Sequence, residues 1–134
     1  MVEIGETKFS TGQVATLKLL GCLCLIDQGE LDWKMLAINM AEYNENKEKF
    51  SSLLKIEEHF PGKLAAIREW FRTIKTYDGK KPNTFGYDDQ WLGEERAVSV
   101  VMENFREYLK LNEGKTENEW GFALEPLKAS RASR

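Results

Sequence analysis

The sequence predicts an α+β fold, with a β-hairpin early in the chain and two main amphipathic helices after it. The hairpin is indicated by the apolar run Leu19–Ile26, the polar turn Asp27–Glu30 and a second strand-like segment over Leu31–Ile38. The helices are indicated by apolar residues three to four positions apart beyond Pro61 and again beyond Gly93.

Length and charge exclude several classes of protein. The 134 residues suit one domain, residues 1–134, whose polar end over 112–134 is expected to be a loosely ordered tail. The chain carries 19 Lys and Arg against 22 Asp and Glu, a net charge of −3, which argues against a general nucleic-acid-binding protein. No apolar run approaches the ~20 residues of a membrane span, and no signal peptide is visible, so we expect no membrane partner and a cytoplasmic location.

The first strand is predicted in two parts. Residues Gln13–Leu20 alternate loosely between polar and apolar, which is typical of a half-buried strand. Gly21 then predicts a bulge or a bend, a common feature where a sheet curls into a barrel. Cys22–Ile26 is apolar on both faces, so this part is expected to be covered on both sides.

The second half of the chain is predicted to be mostly helical. Residues Met40–Phe50 are polar and indicate a surface connection, and Ser51 or Ser52 is expected to cap a short helix that ends at Glu58. A second helix after Pro61 has apolar residues on one side: Leu64, Ile67, Trp70 or Phe71, and Ile74.

The last predicted helix runs from about Gly93 to Leu111. Its expected inward-facing residues are Ala97, Val101, Phe105 and Tyr108 or Leu109. Two or three strands are too few to cover two such helices and the Cys22–Ile26 run. We therefore expect either that strands pair between chains or that residues belonging before Met1 are missing.

Two carboxylates flank the hairpin turn. If the hairpin closes there, Asp27 and Asp32 lie directly opposite each other, with β-carbons ~5 Å apart. Two like charges this close are tolerated best with a cation between them, and oxygen ligands without a histidine cluster favour Mg²⁺ over zinc. Lys34 lies beside the pair, which suits a phosphate ligand. The alternative is that both aspartates are solvated turn residues and that Lys34 merely pairs with Asp32.

A second group of charges follows the middle helix. Lys75 ends that helix, where a cation suits the helix dipole, and Lys80 and Lys81 lie on the loop just after it. The alternative for this cluster is a solvated helix terminus with no ligand.

Several segments together resemble the soluble family I inorganic pyrophosphatases of eukaryotes. The most specific is Ile26–Lys34, with its Asp-x-Gly-Glu-x-Asp-Trp-Lys pattern. The other matching segments are Glu3–Thr7, Gly12–Val14, Phe60–Gly62, Glu69–Arg72 with Lys75, and Asp78–Lys80 with Asn83 and Phe85. The resemblance is collinear from about Val2 to Leu111.

The resemblance implies a five-stranded, OB-like β-barrel with packed helices, of which this chain would hold a partial barrel. It implies an enzyme that hydrolyses inorganic diphosphate to two orthophosphates with Mg²⁺ ions held by carboxylates, by direct attack of water. It also implies a homo-oligomer, commonly a dimer, in the cytoplasm, the mitochondrion or an acidic phosphate-storing organelle.

By motif position, the resemblance assigns roles to five residues. Asp27 and Asp32 match the metal-ligating aspartates of the hairpin. Lys34 and Lys75 match lysines that contact phosphate, and Lys80 matches a loop lysine near the substrate.

The chain departs from the family pattern in two ways. The residue before Lys75 is usually a tyrosine whose hydroxyl contacts phosphate, but here it is Ile74, and the nearby Tyr77 is a candidate substitute. The family's Asp-x-Asp-Pro-x-Asp pattern, which precedes the segment matched by Glu3–Gly5, is absent, so no catalytic residue is assigned. The sequence therefore predicts the C-terminal half of a pyrophosphatase with little activity by itself, or alternatively a non-catalytic phosphate-binding or assembly paralogue.

Overall fold

A computed structural model describes residues 1–122 and 124 of the chain. These residues divide into two compact units, one formed by residues 1–98 and the other by the described residues from Ser99 onward. The predicted tail, 112–134, lies in part outside the described residues, and the single-domain organisation stays a prediction. The elements in order are β1 (Val2–Glu3), β2 (Leu17–Asp27), β3 (Glu30–Asn39), α1 (Met40–Glu45), α2 (Leu53–His59), α3 (Lys63–Thr73), β4 (Thr84–Phe85), β5 (Leu92–Gly93) and α4 (Glu94–Asn112).

The strands form one mixed sheet that does not close. Its order is β1-β3-β2-β4, with β5 also pairing with β2; β1 runs parallel to β3 and the other pairs are antiparallel. An open five-stranded sheet with α3 and α4 as its two longest helices confirms the predicted α+β class and the partial barrel.

The hairpin of β2 and β3 is buried on both faces in its middle. The four consecutive residues from Cys22 to Leu25 are all buried, and successive residues of a strand point to opposite faces. This confirms that both faces of the strand are covered over these residues, as the apolar run predicted.

Both cysteines are buried and free, and burial raises the pKa of the Cys22 thiol, against the lowering effect of the Arg96 charge.

Gly21 lies where the hairpin register shifts, as predicted. Leu19 pairs with Ala37 while Gly21 pairs with Leu36, so β2 has one extra residue at this point. Gly21 also pairs with Gly93 of β5. A β-carbon added at Gly21 would lie 2.5 Å from the carbonyl oxygen of Leu92, so the close approach of β5 requires glycine here.

The predicted strand start at Gln13 is wrong. Strand β2 begins only at Leu17, and Val14 is almost fully exposed. The physical reason is the length of the partner strand: Leu17 pairs with Asn39, the last residue of β3, so residues 13–16 have no strand to pair with.

The predicted surface connection over Met40–Phe50 does lie at the surface except for the buried Phe50, but residues 40–45 form a helix, α1, that was not predicted. Asn39 caps this helix: its side-chain oxygen accepts a hydrogen bond of 3.0 Å from the backbone N–H of Glu42. The Glu42 carboxylate in turn accepts from the Asn39 amide at 2.8 Å. The missed signal is an Asn three residues before a Glu, a form of capping box.

The predictions for α2 and α3 hold with small shifts. Ser52 caps α2 by accepting a 3.2 Å hydrogen bond from the Lys55 N–H. Helix α3 begins at Lys63 and buries Leu64 on its inner side, while Trp70 remains more than half exposed.

Helix α4 matches its predicted bounds within one residue but is buried only near its start. Ala97 and Val100 are buried, whereas the predicted inward residues Val101, Phe105 and Tyr108 are 36, 48 and 44% exposed. Ala97 is therefore buried as predicted, and the described residues after Val100 are all at least partly exposed. In the described part of the chain, no helix is long and apolar enough to cross a membrane.

Glu42 also holds the segment that follows β1. Its carboxylate accepts hydrogen bonds from the Thr7 hydroxyl, from the backbone N–H of Thr7 at 2.7 Å and from that of Glu6 at 2.9 Å. These donors, the Thr7 hydroxyl foremost, lower the pKa of Glu42 from 4.5 to about 2, although partial burial acts in the opposite direction.

A carboxyl group whose pKa is lower in the folded than in the unfolded protein stabilises the fold at pH values above its unfolded pKa. This stabilisation is lost as the pH falls through the folded pKa. We therefore expect the wild-type free energy of unfolding to fall between about pH 4.5 and pH 2 through Glu42, by about 1–2 kcal/mol after allowance for solvent screening. Urea unfolding at pH 6 and pH 3 measures this. Glu42→Gln should lose less stability over that interval, while Glu45→Gln, an exposed residue of the same helix, should behave as wild type. Equal acid sensitivity in all three proteins would contradict the assignment.

Candidate functional site

The hairpin turn sets the relation between the two predicted metal ligands. Gln28 and Gly29 both have positive φ, 54° and 92°, as a type I′ two-residue turn requires. This turn pairs Asp27 with Glu30 and Leu25 with Asp32. The prediction that Asp27 and Asp32 lie directly opposite each other is therefore wrong, because the turn is two residues shorter than that pairing would need.

The two carboxylates nevertheless share one face of the hairpin. Asp32 lies diagonally across from Asp27, at the spacing of roughly 7–8 Å expected for diagonal neighbours. Both line one depression of the surface, together with Glu30 and the turn. Glu30 was not singled out in the sequence, although the I′-type spacing of the turn would have placed it opposite Asp27.

Each aspartate forms an ion pair with one of the predicted phosphate-binding lysines. Asp27 Oδ2 lies 2.5 Å from Lys75 Nζ, and Asp32 Oδ2 lies 2.5 Å from Lys34 Nζ. The pair between Lys34 and Asp32 is also expected if the two aspartates are solvated turn residues that bind no ligand. The Lys75 pair is not implied by that alternative, because it joins residues 48 positions apart in the chain.

The charges around Asp27 affect its ionisation. The hydrogen bond from Lys75 lowers the pKa of Asp27, and the positive charges of Lys75, Lys80 and Lys34 act in the same direction, against a smaller effect of desolvation. Asp27 is therefore an anion at neutral pH, ready to hold a cation.

A second depression begins on the other side of Asp27. It has a volume of about 640 Å³ and is bounded by the hairpin turn and by the loop after α3. Its charged lining residues are Asp27, Lys75, Lys80 and Lys81. Asp27 thus lies at the boundary between an acidic depression and a basic one, and Lys81 joins the predicted lysines.

Helix α3 positions both Lys34 and Lys75 near the hairpin end. Lys34 Nζ lies 5.4 Å from the centre of the Phe71 ring, a cation–π distance, while Lys75 follows the end of the same helix. The structure therefore brings together all five predicted site residues around the hairpin end, with Asp27 in the middle of the group.

The residue before Lys75 supplies no hydroxyl. Ile74 is 38% exposed, and Tyr77, the candidate substitute, is 91% exposed and does not line the basic depression. Arg72, which belongs to the motif that carries the resemblance, pairs instead with Asp89 at 2.7 Å and with Glu69 at 3.1 Å. These carboxylates, Asp89 first, raise the pKa of Arg72.

The described residues contain no group of three or more His, Cys, Asp or Glu side chains that could hold a metal ion. The hairpin supplies two carboxylates in suitable register, and Glu30 points to the same depression from an exposed position. Any cation bound here would complete its coordination with water or with a ligand.

Comparison with known proteins identifies the family. The family model described as inorganic pyrophosphatase matches residues 1–109. This chain belongs to the inorganic pyrophosphatase family. The match includes all five predicted site residues of this pyrophosphatase-family chain, from Asp27 to Lys80.

Individual relatives agree with the family match. The chain is 40% identical over 111 residues to soluble inorganic pyrophosphatase 6, chloroplastic, of Arabidopsis thaliana, covering 83% of this chain and 36% of that protein. It is 36% identical over 130 residues to the inorganic pyrophosphatase of Candida glabrata, covering 97% of this chain and 45% of that protein. The chain therefore spans less than half the length of these relatives.

Solved structures show the same relationship. The inorganic pyrophosphatase of Schistosoma japonicum superposes with a TM-score of 0.76 at 36% identity, covering 81% of this chain and 38% of that one. The N-terminally truncated vacuolar soluble pyrophosphatase of Trypanosoma cruzi, solved in complex with PPi, gives 0.70 at 33% identity, covering 78% of this chain and 41% of that one. The relatives named here are all pyrophosphatases, and none supports the alternative of a non-catalytic paralogue.

Proposed function

We propose that this pyrophosphatase-family chain acts in the Mg²⁺-dependent hydrolysis of inorganic diphosphate to two orthophosphates. The observation that carries the proposal is the position of Asp27 between an acidic and a basic depression. A site for a diphosphate with its cation needs both signs of charge side by side, and the hairpin end provides them.

The acidic side fits Mg²⁺. Asp27 and Asp32 offer hard oxygen donors on one face of a rigid hairpin, and Mg²⁺ is usually bound by one or two carboxylates while it keeps several waters. Bound there, Mg²⁺ would polarise a phosphoryl oxygen and offset the negative charge that develops during hydrolysis.

The basic side fits phosphate. Lys75 and Lys34 are the present ion-pair partners of Asp27 and Asp32, so a cation that binds the two carboxylates competes with both ammonium groups. Once displaced, Lys34 and Lys75 can donate hydrogen bonds to phosphate oxygens, together with Lys80. We therefore propose that cation and diphosphate bind cooperatively, because each relieves the charge that opposes the other.

Calorimetric titration with imidodiphosphate, an analogue with a P–N–P bridge in place of P–O–P, tests the proposal on the whole chain. At matched ionic strength, we expect the dissociation constant to be at least about tenfold lower with Mg²⁺ than with K⁺ alone, which corresponds to roughly 1.4 kcal/mol. Equal affinity under both conditions would rule the proposal out.

Colorimetric assay of phosphate release from diphosphate supplies a second readout. We expect slow turnover from this chain by itself, because its described residues hold no group of three or more His, Cys, Asp or Glu side chains that could hold a metal ion. Turnover at an ordinary enzymatic rate, roughly 1–1000 per second, would show that two aspartates suffice.

Two finer features belong to the same proposal. We propose a homodimer, which light scattering tests, and a cytoplasmic location, which imaging of the tagged protein tests. Relatives named as chloroplastic show that compartments differ within the family. The net charge of −3 supports the absence of a nucleic-acid partner.

A further inference from the structure

Lys34 has two close neighbours of different kinds. Its ammonium group pairs with Asp32 Oδ2 at 2.5 Å and lies over the Phe71 ring, 5.4 Å from the ring centre. The Lys34 side chain is only 22% exposed, so both contacts are partly shielded from water. An aromatic ring attracts an ammonium group to its negative face, and the attraction is stronger where water is excluded.

The Phe71 ring is held in a fixed position. It packs against the buried cluster that contains Leu23, which pairs with Lys34 across the hairpin. The ring also meets the Trp70 ring edge-on, with centres 4.9 Å apart. The Phe71 carbonyl accepts a 2.8 Å hydrogen bond from the side-chain amide of the buried Asn83. The ring is therefore a rigid neighbour of Lys34.

The two neighbours affect the ammonium group differently. Asp32 neutralises the charge of Lys34, whereas the Phe71 ring attracts the charge without neutralising it. An ammonium group has three N–H donors, and a ring face leaves its charge and its remaining donors available to another anion. A phosphate oxygen can therefore bind Lys34 while Phe71 holds it, but it has to compete with Asp32.

This difference decides what happens to Lys34 when a cation binds. A cation at the Asp32 carboxylate separates Lys34 from its anionic partner. A lysine side chain freed in this way has many rotamers, and confining it again weakens the binding of a ligand. The Phe71 ring stays in place, because it offers Mg²⁺ no oxygen, and it keeps the ammonium group near the site.

We propose that Phe71 is a positioning residue, which holds the Lys34 ammonium group at the hairpin end for a phosphate ligand once a cation has bound Asp32. This inference rests on the proposed function, because it concerns a lysine of the same site. It differs from a purely structural role, in which Phe71 only fills the core and Asp32 alone places Lys34.

Site-specific replacement of Phe71 by fluorinated phenylalanines tests the inference. Fluorine atoms on the ring withdraw electrons and weaken its attraction for a cation, while the ring keeps nearly the same size and packing. In calorimetric titration with imidodiphosphate and Mg²⁺, we expect the dissociation constant to rise in steps from phenylalanine to difluoro- and trifluorophenylalanine, by about fivefold for the last. A constant that stays within about twofold throughout would contradict the inference.

The dependence on Lys34 identifies the partner of the ring. In a Lys34→Ala background, where Lys75 keeps binding measurable, the same fluorinated residues should change the constant by less than about twofold, because the ammonium group is absent. Trifluorophenylalanine in place of Phe50, which is buried and stacks on Phe60, is the matched control and should leave binding unchanged. An equal rise with and without Lys34 would overturn the inference.

Nuclear magnetic resonance gives a second readout, which needs no diphosphate. Protons over an aromatic ring are shifted upfield, so the ε-methylene signal of Lys34 should lie upfield in the wild type and stay there at saturating Mg²⁺. Lys34→Ala assigns the signal. In Phe71→Leu, which removes the ring, the signal should lie at the usual lysine position. A wild-type signal that moves to that position when Mg²⁺ is added would show that Asp32 alone places Lys34.

The outcomes separate the inference from the proposed function. Mg²⁺-dependent binding of imidodiphosphate that does not respond to fluorination of Phe71 overturns the inference and leaves the proposed function standing. Absence of binding, or equal binding with Mg²⁺ and with K⁺, overturns the proposed function and the inference together.

Discussion

Replacing both Asp27 and Asp32 by asparagine is expected to abolish the Mg²⁺-dependent part of imidodiphosphate binding. Asparagine keeps the size and one oxygen of aspartate but lacks the charge that holds Mg²⁺. The dissociation constants with and without Mg²⁺ should then agree within about twofold, against the tenfold or larger difference expected for the wild type. Calorimetry measures both constants on the same protein.

The same variant should bind the analogue more tightly than the wild type when Mg²⁺ is absent. The substitution removes two negative charges and frees Lys34 and Lys75 from their ion pairs, so the phosphate finds more positive charge. A merely misfolded protein would lose affinity in both conditions. The control is Glu48→Gln, an exposed carboxylate away from the site that should leave both constants unchanged. A variant that keeps its response to Mg²⁺ would remove Asp27 and Asp32 from the metal site.

Substitution of Gly21 by alanine is expected to cause the largest loss of stability proposed here. The new β-carbon would lie 2.5 Å from the Leu92 carbonyl oxygen and 3.0 Å from a methyl group of Leu53. The first contact is with backbone, so strand β5 has to move away from β2. We expect a loss of about 2–3 kcal/mol, which lowers the melting temperature by roughly 5–10 °C.

Gly93→Ala is the matched control, because Gly93 pairs directly with Gly21 across the two strands. A β-carbon added at Gly93 meets nothing within 4 Å, so this variant should melt within about 2 °C of the wild type. Circular dichroism melting curves of the three proteins provide the measurement. If both alanine variants melt alike, the close approach of β5 is not what requires glycine at position 21.

The sequence predicted the hairpin and the helices because each has a strong local signal. The run from Cys22 to Leu25 and the turn at Gln28–Gly29 mark β2 and its end, and Ser52 marks the start of α2. Elements without such a signal were missed. The two-residue strands β1, β4 and β5 exist only because their neighbour in the sheet holds them.

The wrong predictions, for the start of β2 and for the buried side of α4, also arise because these features depend on neighbouring elements. Residues 13–16 alternate like a strand, but strand β3 is too short to pair with them. Val101, Phe105 and Tyr108 were predicted to face inward together with Ala97, because apolar residues on more than one side of α4 leave several buried lines possible from spacing alone.

By itself, the sequence determined that Asp27, Asp32 and Lys34 belong to one continuous segment and Lys75 and Lys80 to another, and its resemblance to the family predicted one site for all five. Only the tertiary structure decided how they meet. The two-residue turn set Asp27 diagonal to Asp32, and the packing of α3 brought Lys75 to Asp27 from 48 residues away. The physical reason is that side-chain chemistry is local to a residue, whereas distances between segments depend on strand register and helix packing, which the whole chain settles together.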